Sequence, residues 1–124
     1  MCPFCERVRD GERLFESALL IAFSDGFPVS PGHALIIPRR HEPDWLALSA
    51  AEHAEAWQLV ELVRRRIDAE RHPDGYNVGV NCGHAAGQTV DHAHLHVIPR
   101  YLGDQPDPRG GVRWVLPAKA RYWR

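Results

Sequence analysis

The sequence predicts an α+β fold, an antiparallel sheet with one long helix packed on it, and three observations carry that prediction. Short β-rich runs punctuated by turn residues occupy residues 13 to 38. One capped helical pattern follows over residues 49 to 72, and two further β-rich runs joined by a loop of small residues come after it. At 124 residues the chain suits one domain with a single core, small enough that a dimer or a bound metal would help hold it.

In chain order, Cys2-Pro3-Phe4-Cys5 comes first, with two thiols three positions apart. A disulfide is disfavoured in a reducing compartment, and a redox dithiol needs a strand before it. Two readings stand: a pair of free thiols, or one side of a tetrahedral zinc site. Arg13 to Glu16 and Leu19 to Phe23 read as strands, because Ser17-Ala18 leaves room only for a tight turn. Ser24-Asp25-Gly26-Phe27-Pro28 ends the second strand, with Asp25 suited to capping a turn. His33 opens a third strand after Pro31-Gly32, and Ala34 to Pro38 is its apolar run. Asp44 to Leu48 then leads to the helix. Ser49 and Glu52 form a capping box, and Ala56, Leu59, Val60, Val63 and Ile67 recur at helical spacing until His72-Pro73-Asp74-Gly75. Arg64, Arg65 and Arg66 complement the helix dipole and read as solvated. Tyr76 to Asn81 is a fourth strand, Cys82 a small buried residue, and Gly83 to Thr89 the small-residue loop. The final sheet strand carries His92, His94 and His96. Residues 103 to 111 form a loop by their Gly and Pro content, and Val112 to Pro117 reads as one more short strand before a tail with aromatics between cations.

The three histidines at period two are the chemically loaded stretch. An extended backbone lines their imidazoles along one face and turns Ala93, Leu95 and Val97 to the other. Two chemistries fit such a row. A metal centre would ordinarily recruit carboxylates, and the one nearby acid, Asp91, alternates to the opposite face. Nucleophilic catalysis by one imidazole is the other, and Gly83 to Thr89 favours it, since small residues let backbone amides cradle an anion while Gln88 and Thr89 add neutral donors. Phosphate beside a nucleophilic histidine reads as phosphoryl or nucleotidyl transfer. Net charge of −1 argues against general nucleic-acid binding. The longest apolar run, Ala18 to Phe23, is too short to span a bilayer, and no signal-peptide core is visible, so a cytoplasmic protein is expected.

His92-Ala93-His94-Leu95-His96-Val97-Ile98, the preceding Gly87-Gln88-Thr89-Val90, and Pro31-Gly32-His33-Ala34-Leu35-Ile36-Ile37-Pro38 together resemble the markers of the histidine-triad (HIT) family of nucleotide hydrolases and transferases, over about residues 2 to 103. The resemblance implies a HIT-like antiparallel sheet of about five strands with one long helix and a shorter helical segment. It implies a single HIT domain over 1–124, with a core of 1–101 that includes an N-terminal zinc knuckle and a tail of 102–124. His94 would be the nucleophile, His96 a donor to a phosphate or bridging oxygen, Thr89 a donor to the leaving group, and His33 a group behind the nucleophile. Asp25 would accept from the ribose hydroxyls, Phe23 and Phe27 would wall the base, and Asn81 would lie near the α-phosphate or ribose, with Gly87, Gln88 and Thr89 lining the phosphates. Bacterial relatives that start with Cys-x-x-Cys bind structural zinc, which assigns Cys2, Cys5, His41 and His92 as ligands. The implied substrate is a nucleotide conjugate, an adenine nucleotide such as a diadenosine polyphosphate or a nucleoside phosphoramidate. Attack by phosphate in place of water would make the same intermediate serve a phosphorylase or transferase. The implied assembly is a homodimer, without nucleic-acid or membrane partners. Two rival classes are a non-catalytic, zinc-stabilised nucleotide-binding adaptor and a metal-dependent hydrolase. The tail with Trp114, Tyr122 and Trp123 fits either a selector of the leaving half or a dimer anchor.

Overall fold

The structure, a computed structural model, describes residues 1–124. Five strands form one antiparallel sheet: β1 (Phe15–Glu16), β2 (Leu20–Ser24), β3 (Ala34–Pro38), β4 (Gly75–Val80) and β5 (Leu95–Arg100), in the spatial order β1-β2-β3-β5-β4. Three helices accompany them, α1 (Pro3–Asp10), α2 (Ala50–Arg71) and α3 (Pro117–Ala120). No helix is long and apolar enough to cross a membrane.

α2 begins where the sequence places it. The Ser49 hydroxyl accepts from the Glu52 N–H at 3.1 Å and Glu52 accepts from the Ser49 N–H at 2.8 Å. Glu52 is buried, and the Arg40 guanidinium holds its carboxyl below the usual range, so the charge at the helix start is both paired and hydrogen-bonded. Ala56, Leu59, Val60, Val63 and Ile67 pack against Ala22, Ala34, Ile36, Ala93, Leu95 and Val97, which makes one face of the sheet the main core. The opposite face buries Ile21, Phe23, Leu35 and Ile37 under Phe4 and Val8 of α1. This second face carries the histidines, because the residues flanking them point to α2.

Three expectations are corrected, and the Cys2-Pro3-Phe4-Cys5 segment gains a helix: it is the first turn of α1, where Pro3 sits at a position that needs no N–H and the Cys2 sulfur caps the helix by accepting from the Cys5 N–H. The first strand is shorter than Arg13 to Glu16, since only Phe15 and Glu16 pair with β2. The last strand begins at Leu95, leaving His92 and His94 before the ladder. Continuing the β3–β5 register would set Ala93 opposite Pro38, which has no N–H to give, and Ala93 donates to the Glu42 carbonyl at 2.7 Å instead. The strand expected at Val112 to Pro117 is a 3-10 turn over Gly111–Val115 followed by α3. Gly110 and Gly111 both adopt positive φ there, and the Arg113 guanidinium donates to the carbonyls of Lys119 and Ala120, folding the segment on itself.

Candidate active site

The three rings of the triplet occupy one face, yet each makes a different contact, and those contacts dictate where the protons lie. His92 is fully buried and its Nε2 donates to the Pro38 carbonyl at 2.9 Å, so its Nδ1 carries a lone pair. His94 is buried and its Nδ1 donates to the His92 carbonyl at 2.9 Å, which leaves Nε2 as an unprotonated nitrogen. At His96 the proton is placed through a neighbour. The Val29 N–H donates to His33 Nδ1 at 3.1 Å, so neutral His33 holds its proton on Nε2, 2.9 Å from His96 Nδ1. His96 accepts there and must keep its own proton on Nε2. Burial first, then the neighbouring His94 and His33, push the His96 pKa down to about 4, so the ring is a neutral donor at physiological pH. The His94 and His96 ring centroids are 5.2 Å apart. One free imidazole lone pair therefore stands beside one fixed N–H donor.

His33 is buried, as a group behind the chemistry should be, but its partner is His96 and not His94. Asp25 both caps a turn and joins this network: Oδ1 accepts from the Phe27 N–H at 2.8 Å while Oδ2 lies 3.4 Å from His33 Nε2. Phe23 is not open to a base, being buried with Phe4 at 5.8 Å and the Arg7 guanidinium 4.6 Å over its ring. Phe27 is 90% exposed. Phe4 is the residue that the sequence reasoning missed. Its ring meets His94 edge-on at 5.2 Å and His92 at 5.9 Å. The signal was present, since a residue between two thiols that converge on His92 has to approach the triplet as well.

The small-residue loop departs from the expected anion nest. A 3-10 turn over His84–Ala86 lies between Gly83 and Gly87, both at positive φ that side chains rarely adopt. The N–H groups of Ala86, Gly87 and Gln88 all donate to carbonyls within the loop. Gln88 is buried, accepts from the Gly83 N–H at 2.9 Å, and donates to the Pro43 and Val90 carbonyls, so its amide braces the loop and has no free donor. Thr89 remains exposed with its N–H and hydroxyl unspent, and the side-chain amide of Asn81, half-buried just past β4, makes no hydrogen bond within the protein.

A second cluster lies behind His92. Cys2 Sγ is 3.4 Å from His92 Nδ1, and Cys5 Sγ is 3.3 Å from His41 Nδ1 and 3.6 Å from His92 Nδ1. Tetrahedral zinc with sulfur at about 2.3 Å and nitrogen at about 2.0–2.1 Å sets neighbouring ligands roughly 3.5 Å apart. The four donors match that span, and all lie within 4.8 Å of one another. Burial holds the His92 pKa below its ordinary value, which keeps the ligand nitrogen unprotonated. The donor set fits a closed structural metal site.

Comparison with known proteins places this geometry in context. The family described as the HIT domain matches residues 6–103. An adenosine 5′-monophosphoramidase of Schizosaccharomyces pombe is 41% identical over 102 residues, covering 80% of this chain and 74% of that protein. An AP-4-A phosphorylase of Mycobacterium tuberculosis is 35% identical over 107 residues, covering 82% of this chain and 55% of the phosphorylase. Among solved structures, a Zn-bound histidine triad family protein from Mycobacterium smegmatis superposes with a TM-score of 0.75 at 32% identity, covering 94% of this chain and 91% of its own.

Proposed function

The chain belongs to the HIT domain family, and from that premise we propose that it cleaves a nucleotide conjugate at the α-phosphate through a covalent nucleotidyl-His94 intermediate. The observation that carries this reading is the proton placement: His94 Nδ1 is committed to the His92 carbonyl, so Nε2 keeps the lone pair that would act as the nucleophile. In the first step the Nε2 lone pair forms a bond to phosphorus as the bond from phosphorus to the leaving group breaks, and the leaving group takes the electron pair. The His96 Nε2–H donates to a phosphate oxygen, where charge builds. Positive charge arising on His94 is delocalised to Nδ1–H and met by the His92 carbonyl. The Thr89 hydroxyl donates to the departing atom. Water then attacks phosphorus as the P–N bond breaks, the electron pair of that bond returns to His94 Nε2 and one proton of the water passes to solvent, which releases the nucleoside monophosphate with His94 neutral again. If phosphate attacks instead, the same intermediate yields a nucleoside diphosphate.

Asp25 Oδ2 and Asn81 are the groups that would meet the ribose, and Phe27 would wall the base. Gly87 and Gln88 act by holding the loop in shape. An adenine nucleotide is the proposed substrate, in keeping with what the named relatives act on. Cys2, Cys5, His41 and His92 would hold a structural zinc ion, which supplies a cross-link between α1 and the residues before β5. The protein is proposed to be a cytoplasmic homodimer that joins through the free edge of β4. His94→Ala should abolish release of monophosphate from adenosine 5′-phosphoramidate and diadenosine tetraphosphate while nucleotide binding stays measurable. Full turnover by that variant would remove His94 from the mechanism.

A further inference from the structure

A base directed at Phe23 meets a cation in its place. Phe23 pairs across the sheet with Leu35, and Leu35 with His96, so the three side chains form one row on the face that carries the triplet. Two strand spacings, about 10 Å, separate the ends of that row, which is the reach of a nucleoside held at phosphorus by His94 and His96. Asp25, the proposed ribose contact, lies two residues past Phe23 and 3.4 Å from His33, the partner of His96. The Phe23 ring itself is covered, with the Arg7 guanidinium 4.6 Å over it and Phe4 at its edge. Phe4 also meets His94 at 5.2 Å. Arg7 follows Phe4 by three positions on α1, on the same face, and so stands one ring away from the nucleophile.

Arg7 is held in place and left unspent. Gly11 has an ordinary φ of −83°, and its missing side chain gives the Arg7 stem room, since a Cβ there would collide with Arg7 Cδ and lie 2.9 Å from the Arg7 carbonyl oxygen. Neighbouring groups are taken by other cations. Arg13 donates to the carbonyls of Arg7, Val8 and Gly11 at the end of α1, while Asp10 pairs with Arg9 and Glu16 with Arg13. Arg7 forms no ion pair, and its side chain makes one hydrogen bond, to the Glu12 carbonyl at 3.4 Å. Most of its five N–H donors therefore have no acceptor in the protein. A fork of parallel N–H groups fits two acceptors side by side, which guanine presents as O6 and N7. Adenine sets an amino donor beside N7, so it satisfies one N–H of the fork and turns a donor toward the other.

We propose, on the α-phosphate chemistry above, that Arg7 reads the base and that the site takes guanine conjugates ahead of adenine ones, with adenine held through N7 alone. The full chain and its Arg7→Met and Arg7→Gln variants are assayed on guanosine 5′-phosphoramidate and adenosine 5′-phosphoramidate, which share a leaving group and differ in the base. In wild type kcat/KM for the guanosine compound should exceed that for the adenosine compound about tenfold, through KM. The preference should vanish in Arg7→Met, which keeps an apolar stem over Phe23 without donors. In Arg7→Gln the ratio should fall to one or below, because a side-chain amide matches the donor and acceptor of adenine. Equal use of the two bases by wild type, or a guanine preference that persists in either variant, overturns the proposal. A wild-type protein that turns over neither compound contradicts the α-phosphate reading instead. Arg7 is then judged by calorimetric titration with guanosine and adenosine monophosphate: the guanine nucleotide must bind wild type more tightly and lose that margin in Arg7→Met, and equal affinities overturn the proposal.

Discussion

The Val29 N–H reaches His33 Nδ1 at 3.1 Å, and the consequence travels one ring further, to His96, because each imidazole in the relay has one proton and two nitrogens. His33→Asn should lower kcat roughly tenfold with little change in KM, the scale of one lost donor in the transition state, since His96 is then free to carry its proton on the wrong nitrogen. Unchanged kcat would show that the relay does not orient His96. At this scale the sequence was legible where alternation decides the outcome. Ala93, Leu95 and Val97 are in the core beneath α2, as period two requires. It was silent where a partner distant in the chain decides: nothing near His33 shows that it meets His96, 63 positions away, and nothing near Phe23 shows that Phe4 and Arg7 cover it. Gln88 misleads for a local reason, since a side-chain amide beside two glycines suits a free donor and a loop brace equally well.

α1 has 8 residues, too few to persist in water by itself, and it buries no residue fully. Its attachments are Phe4 and Val8 against the sheet and the two thiols against His41 and His92. Chelating the proposed zinc should therefore lower Tm and release α1, so that Cys2 and Cys5 react with a thiol reagent in addition to Cys82, whereas zinc-loaded protein protects both. Equal thiol reactivity with and without chelator would reject the metal's role. Phe4→Ala should cost about 2 kcal/mol by chemical denaturation and open the ring faces of His92 and His94 to water; a cost near zero would detach α1 from the site. The resemblance implied a shorter helical segment, but its place at Pro3–Asp10 was hidden because its periodicity spans barely two turns, while α2, with 22 residues and a capping box, was plain. The tail was misread as a strand because Val112 to Leu116 is apolar and β-rich, but no sheet edge receives it and the glycines before it turn the chain.

For the molecule as a whole, the buried histidines set a pH dependence of definite sign. The His96 pKa in the folded chain, about 4, lies below its ordinary 6.5, and burial lowers His33 and His92 in the same direction. Between those two values the unfolded chain binds the proton and the folded chain does not, so stability rises with pH across the window and is lost as pH falls from about 6.5 towards 4. Tm measured from pH 7 to 4.5 should drop, and His96→Asn should flatten the slope; an identical slope in that variant would mean that His96 is not a source of it. The antiparallel sheet with a covering helix was readable because strand and helix periods do not overlap, and the pairing of β3 with β5 was not, since no local pattern specifies it. What all these parts converge on is the Nε2 of His94. Intact-protein mass spectrometry within the first turnovers on diadenosine tetraphosphate reads that atom most directly. The expected result is a mass increase of one nucleoside monophosphate on wild-type protein and none on His94→Ala, and rapid turnover with no adduct, or an adduct that survives in His94→Ala, would contradict it.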